Sequence, residues 1–309
     1  MLNFRSCFKY NKTMAKVNEI KEQQIVVSAV GEFSNSLQQI ATMRMVSLRK
    51  VVLASRRFVD EATIILRDLK RERQIQLINK LKKIDKRYAK HRTAREAIIV
   101  LSSYQGLCGS YNVEIFNRIE KILPQHLKSD YFVIGSKGQD YFRGLLRKHP
   151  DLNFYPYDIP ENVTIEHLRK LINMFPYYDH IYLIYSKYIN TTNRDVVFLE
   201  LVEPAFDEEE EKNDTPQEKE VDEGKYIFEP DLEELIENVA NKLRYALFRQ
   251  QILDSKLSLY SSQMVAMQNA TDNAKTLLKD LQMEYNKARR KNIDKKIQEV
   301  QAGRALWAN

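Results

Sequence analysis

From Val26 onward, apolar residues recur at alternating spacings of four and three: Val26, Val30, Phe33, Leu37 and Ile40. Such a stripe marks a helix that packs lengthwise on another helix. Arg44 interrupts it, and Ala41, Met45, Leu48 and Val52 carry the stripe on, so the pattern predicts a slip of register near Met43. The far end of the chain repeats the arrangement with Leu253, Leu257, Tyr260, Met264, Met267, Thr271, Ala274, Leu278, Leu281, Tyr285 and Ala288, before a shift by one to Ile293, Ile297 and Val300. A seam built of small residues and methionine lets two backbones approach closely.

Between these arms the pattern changes. The runs AIIVLSS (97–103), YFVIGS (131–136), LNFYPYDI (152–159) and HIYLIYSKYI (180–189) read as strands, with helical patterns over 111–123, 138–148 and 165–175. The polar turn NTTNRD then sends the chain back along VVFLELV (196–202), which predicts a mixed sheet with an antiparallel last strand. All eight prolines lie between Pro124 and Pro230, and only Gly31 and Gly303 lie outside the stretch from Gly106 to Gly224. Proline breaks helices and glycine weakens them, so the two ends are free to be long helices and the middle is not. The expected fold class is α/β: an antiparallel coiled coil of long N- and C-terminal helices carrying an α/β head, which the family resemblance given below implies is Rossmann-like. The expected segments are a basic extension or presequence (1–18), an N-terminal coiled-coil helix (19–92), the head (93–204), an acidic linker loop (205–226) and a C-terminal coiled-coil helix (227–309). Arms of about 60 residues at ~1.5 Å per residue reach on the order of 90 Å, which predicts a rod on a head.

Charge sharpens this reading. The chain carries +7 overall, but Glu203 to Glu223 carries a net −9, leaving +16 on the remainder. A basic remainder calls for an anionic partner. Before Glu19 there is no acidic residue, while Arg5, Lys9, Lys12 and Lys16 sit among serine and aromatic residues, as in an organellar transit peptide or a plain basic tail. No apolar run approaches the ~20 residues that span a bilayer. The two cysteines, Cys7 and Cys108, cannot form a disulfide framework, and the five scattered histidines offer no metal-ligand spacing. No metal or cofactor is expected.

The stretch LSSYQGLCGSYN (101–112) is the strongest candidate for chemistry, with glycines bracketing Cys108 between a strand and a helix. No histidine lies near it in sequence to activate a thiolate, and a tight turn needs small residues for steric reasons alone. GLCG lacks the lysine of a phosphate loop, and GSKG (135–138) is too short to wrap a phosphate chain. From Phe33 to Lys90 fifteen basic residues face five acidic ones, so a nucleic-acid-binding coiled coil is the rival reading. It lacks interleaved aromatics, and the last turns, VQAGRALW, become small and apolar.

The residues YSSQMVAMQNATDNAKTLLKDLQMEYNKARRKNI (260–293) followed by IQEVQAGRAL resemble the C-terminal signature of the F-type ATP synthase gamma subunit. The similarity continues through MRMVSLRK (43–50), GLCGSYN (106–112), IGSKG (134–138), YLIYSKYIN (182–190) and YIFEP (226–230). The resemblance implies a non-catalytic rotor shaft that couples proton-driven rotation of a membrane ring to ATP synthesis. It implies partners in the alpha and beta subunits, the delta and epsilon central-stalk subunits and the c-ring, with no nucleic acid bound and no direct membrane insertion. It further implies a place on the matrix side of the mitochondrial inner membrane. Carried over position by position, it marks Met43, Arg44, Gln263, Arg289, Arg290 and Lys291 as contacts with the alpha/beta hexamer. Gln263 and Arg290 stand where arginine and glutamine are common in the family. The two seam slips, near Met43 and Arg289, predict that these basic clusters lie at similar heights and form one positive collar.

Overall fold

The computed structural model describes residues 4–80, 95–160, 163–173, 177–178, 180–201 and 232–307. The expected acidic loop therefore lies outside the described residues. Two helices dominate, α1 (Phe4–Lys80) and α5 (Leu232–Trp307). Between them lie β1 (Glu96–Leu101), α2 (Tyr111–Ile122), β2 (Asp130–Ile134), α3 (Ser136–Leu145), β3 (Asn153–Tyr157), α4 (Ile165–Ile172), β4 (His180–Tyr188) and β5 (Arg194–Glu200). The expected fold class is the one observed.

The sheet runs β3-β2-β1-β4-β5, parallel except for β5, which returns antiparallel along β4. Strand alternation sorts its side chains onto two faces. Ile98 and Val100 of β1, with Tyr131 and Val133 of β2 and Ile184 of β4, pack against Ile115 and Ile119 of α2 and Phe142 and Leu145 of α3. Ala97, Ile99 and Leu101 point the other way, with Phe132, Leu183 and Tyr185, against Leu168 and Leu171 of α4 and Phe248 and Ile252 of α5. Both faces are covered, which is why the central strands read as continuous apolar runs.

Compactness divides the chain inside the two helices. One unit comprises 1–43 with 263–309, and the other comprises 44–262. In the second unit α1 and α5 are joined by Val59, Leu66 and Leu69 against Leu232, Ile236 and Leu243, and by Val52 against Leu253 and Leu257.

The first unit is an antiparallel pair of helix segments. The Gln24 side-chain amide donates to Gln282 Oε1 at 3.2 Å, and that of Gln38 to Gln268 Oε1. As one helix ascends by fourteen residues the other descends by fourteen, which fixes direction and register.

The seam differs from the one the apolar pattern predicts. Ile20, Ser34 and Ala41 are buried, and Gln24, Val27, Gly31 and Gln38 are half-buried between them. Met45, Leu48, Val52, Ser55 and Val59 continue the same alternation of four and three, so α1 has no slip at Met43. The expected stripe is displaced by one residue. Val26 is 61% exposed and Phe33 60%, with Val30 and Ile40 also on the surface. In α5 the expected seam from Met267 to Ala288 holds, but it continues through Asn292 and Lys295, while Ile293, Ile297 and Val300 are exposed. The predicted shift there is corrected in the same way. Both differences have one cause: where two helix backbones approach closely, side-chain size, and not apolarity alone, decides which face turns inward. A Cβ on Gly31 would stand 3.2 Å from that of Ala274, already tighter than an ordinary contact.

Candidate partner-binding interface

In the helix pair of the first unit the α1 side of the seam is mostly glycine, alanine, serine and glutamine, with Ile20 and Val27, against Met267, Thr271, Ala274, Leu278 and Leu281 of α5, and the outer face of α1 carries Ile25, Val26, Val30, Phe33, Ile40 and Met43. An apolar stripe of this length on a charged helix is the mark of a protein-binding surface. The apolar spacing assigns these residues to the seam, and the structure places them outside it. The signal that separates the two stripes is the neighbouring set Gln24, Gly31, Ser34, Gln38 and Ala41, small or amide-bearing and spaced as a seam.

Met43 is 73% exposed and lies at the end of that outer stripe. Extending the Gln24–Gln282 and Gln38–Gln268 register by five residues brings Met43 level with Gln263, which is half-buried. Arg289, Arg290 and Lys291 are all exposed, but they lie 26 residues further along α5, on the order of 39 Å away at 1.5 Å per residue. The single collar expected from the two slips is therefore corrected: Met43 and Gln263 share one level of the helix pair, and the basic triplet occupies a separate level. Consecutive helical positions differ by about 100°, so the triplet spreads charge around α5. In the second unit the guanidinium of Arg44 stands 5.6 Å from the centroid of the Tyr260 ring, a cation–π contact that leaves the charge in water.

The turn around Cys108 has a structural explanation. Cys108 is buried, and its sulfur receives the side-chain amide of Asn112 at 3.2 Å. Asn112 also donates to Ser103 Oγ at 2.7 Å and accepts from the Ser103 amide at 3.2 Å, so it ties the end of β1 to the start of α2. Leu107 and Gly109 take left-handed backbone angles, with φ of 60° and 56°. Gly106 does not need its freedom, since a Cβ there meets only open space.

The GSKG turn is equally closed. Ser102 Oγ donates to Ile134 O at 2.7 Å and receives the Gly138 amide at 2.9 Å, while the Lys137 amide donates to Ser103 O. These bonds occupy N–H groups that an anion would need. A Cβ on Gly138 would come within 2.4 Å of Ser102 Oγ, and Gly135 has φ of 99°, so both glycines are fixed by the strand beside them.

At the other end of the sheet His126 Nδ1 and Ser129 Oγ each lie 2.8 Å from Glu96 Oε2. Burial raises the Glu96 pKa, but the His126 and Ser129 bonds outweigh it, and the carboxyl ends below its usual range. His180 Nδ1 stands 2.6 Å from Glu200 Oε1. Among the described residues no three acidic, histidine or cysteine side chains gather as metal ligands, and no helix is long and apolar enough to cross a membrane.

Known proteins supply the context for this surface. The family model described as ATP synthase matches residues 16–306. The ATP synthase gamma chain of Mannheimia succiniciproducens is 28% identical over 308 residues, covering 94% of this chain and 99% of its own. That of Psychrobacter sp. is 27% identical over 303 residues with the same coverage. Among solved structures, a chain of the central stalk and c-ring of the Tetrahymena thermophila mitochondrial ATP synthase superposes with a TM-score of 0.52 at 20% identity, covering 77% of this chain and 99% of that one. A chain from the Euglena gracilis mitochondrial ATP synthase gives 0.51 at 13% identity, covering 86% and 95%. At such identities these superpositions establish the fold.

Proposed function

The chain belongs to the ATP synthase gamma family, and on that premise we propose that the outer stripe of its helix pair is the surface on which the alpha/beta hexamer bears. The protein is a non-catalytic subunit, the central rotor shaft of ATP synthase, and catalysis lies in the beta subunits. The observation that carries our reading is the row Val26, Val30, Phe33, Ile40 and Met43 left exposed on α1, beside a seam whose α1 side is mostly small or amide-bearing. A pair of helices lacks three-fold symmetry, so each orientation offers a different face to each of three catalytic subunits. Rotation thereby biases which of them is open or closed, a population shift driven by differential contact.

Within this reading Met43, Arg44 and Gln263 touch the hexamer at one level, and Arg289, Arg290 and Lys291 touch it at another. The delta and epsilon stalk subunits and the c-ring complete the rotor. The five-segment organisation belongs to the same proposal, with the basic stretch 1–18 lying for the most part in the first turns of α1, which starts at Phe4. The protein is a peripheral, membrane-associated subunit; its place on the matrix side of the mitochondrial inner membrane is supported by the basic, acid-free composition of the first eighteen residues. Reconstitution tests the whole: the chain mixed with alpha and beta subunits should co-purify with the hexamer and support ATP hydrolysis. Failure of Val26→Ser/Phe33→Ser to weaken that assembly would sink the stripe reading.

A further inference from the structure

Helices usually lie on sheets through apolar side chains, and α5 does so where Phe248 and Ile252 meet the strands. A few residues further on, the chemistry of its buried face changes. Asp254, Ser255, Ser258, Ser261 and Ser262 are all buried. Each has a partner, and each partner lies on a different element. Asp254 Oδ1 accepts from Arg56 Nη2 of α1 at 2.7 Å. Ser255 Oγ lies 2.8 Å from the Tyr111 hydroxyl of α2, and Ser258 Oγ lies 2.7 Å from Ser186 Oγ in the middle of β4. Ser261 donates to Thr191 O in the β4–β5 turn at 2.6 Å, and Ser262 donates to Cys108 O at 2.5 Å in the turn before α2. At the rim Lys256 Nζ reaches Pro160 O at 3.1 Å.

Apolar contact is non-directional, so a helix held by it alone is positioned only by the fit of its side chains. Hydrogen bonds to fixed partners are directional, and leaving a buried one unmade is expensive. Bonds that leave one short helical stretch for α1, α2, β4 and two turns define a single azimuth and a single axial position. Serine serves this purpose because it is small enough to let the helix backbone close on the strand while still carrying a donor and an acceptor.

We infer that residues 254–262 of α5 form a torsional key: a hydrogen-bonded zip whose function is to make the head and the rotor helix turn as one body under load. Ser255, Ser258 and Ser262 are positioning residues for energy coupling, contacting neither nucleotide nor hexamer. This rests on the rotor reading above. Fold stability alone would be served as well by alanine or valine against apolar strands; a rotor has the additional need to transmit torque without slip between its parts.

The test uses the full chain reconstituted with its partner subunits and membrane sector in proteoliposomes, measuring ATP hydrolysis and ATP-driven proton uptake together. The S255A/S258A/S262A variant should keep hydrolysis within about twofold of the unaltered chain while proton uptake per ATP falls about fivefold, because three buried partners lose their bonds. Leu257→Ala opens a cavity on the same stretch at a side chain 1% exposed, and should leave the uptake-to-hydrolysis ratio unchanged. In a separate chain, Ser186→Cys with Ser258→Cys places two thiols where the hydroxyl oxygens are 2.7 Å apart. Reduction should lower the ratio and oxidation should restore it. An unchanged ratio in the triple variant, an equal fall in L257A, or a ratio indifferent to the redox state of the cysteine pair overturns the key. If the triple variant does not assemble, the cysteine pair decides. If the unaltered chain itself does not assemble with the hexamer, the rotor reading falls first and takes this inference with it.

Discussion

The head and the helix pair of the first unit differ in how far they bury their large apolar side chains. Inside the head Ile98, Ile115, Phe142 and Leu183 are sealed from solvent, and its exposed residues are mostly polar. In the helix pair Ser34, Ala41, Thr271 and Ala274 are buried beside Ile20, Met267 and Leu281, while Val26, Val30, Phe33, Ile40 and Met43 of α1 stand outside. The head obtains its stability from area removed from water, at about 25 cal/mol per Å². The helix pair gains less in this way and leaves apolar surface for another molecule to cover. One region covers its large apolar side chains itself; the other leaves a row of them exposed.

The sharpest way to break this comparison is to remove volume from the head. Phe142→Ala deletes a ring packed between Tyr131 and Phe154, and should lower stability by about 3–5 kcal/mol. Chemical unfolding followed by tyrosine fluorescence reads it; a loss below about 1 kcal/mol would show that the head is loosely packed.

In the helix pair the damaging change runs the other way. Gly31→Val adds bulk where a Cβ already stands 3.2 Å from Ala274, so overpacking should cost about 1–3 kcal/mol. The measurement is the midpoint of the helical circular dichroism transition, and Ala274→Gly in the same chain should recover part of the loss.

Acid should act on the head through Glu96. Its folded pKa is depressed, so its contribution is present above the ordinary glutamate pKa and is lost as pH falls through the lower, folded value. Asp254 has the opposite sign: burial raises its pKa against the pull of Arg56, so its carboxyl favours the folded state on the acid side and loses that contribution as pH rises through the folded value. Glu96→Gln should flatten the acid limb of a stability–pH curve, and Asp254→Asn should not.

The smallest effect on the chain's own stability belongs to the outer stripe. Phe33→Ala removes a side chain that is mostly in water and should change stability by no more than about 0.5 kcal/mol, while weakening co-purification with the hexamer. Replacing Arg289, Arg290 and Lys291 by alanine should do likewise in a graded way, since each exposed pair is worth about 0–1 kcal/mol. Loss of all ATP synthesis from one of these alone would mark a specific site in place of a bearing surface.

The head was almost fully legible in the chain, because strands covered on both faces must be continuously apolar and the glycines and prolines that end them are local signals. Hence AIIVL and YFVI became β1 and β2, and the polar turn before VVFLE became the β4–β5 hairpin. The existence of two long helices was equally legible from where proline is missing. Their seam was not. A period of three and four residues identifies a helix face without saying which face is inside, and Val26 and Val27 satisfy the same spacing one residue apart. Only the opposing helix, arriving with Ala274 against Gly31 and Gln268 against Gln38, turns Gly31, Ser34, Gln38 and Ala41 inward and Val30, Phe33 and Ile40 outward. The same holds for Ser255, Ser258 and Ser262. On the sequence they are polar interruptions of a leucine and methionine stripe, and they gain a role only because the fold brings Tyr111, Ser186 and Cys108, which are 144, 72 and 154 residues away in the chain, to their hydroxyl groups. Local propensity and periodicity act over a few residues and are written in order along the chain; partners so distant in sequence meet only when the whole fold has closed.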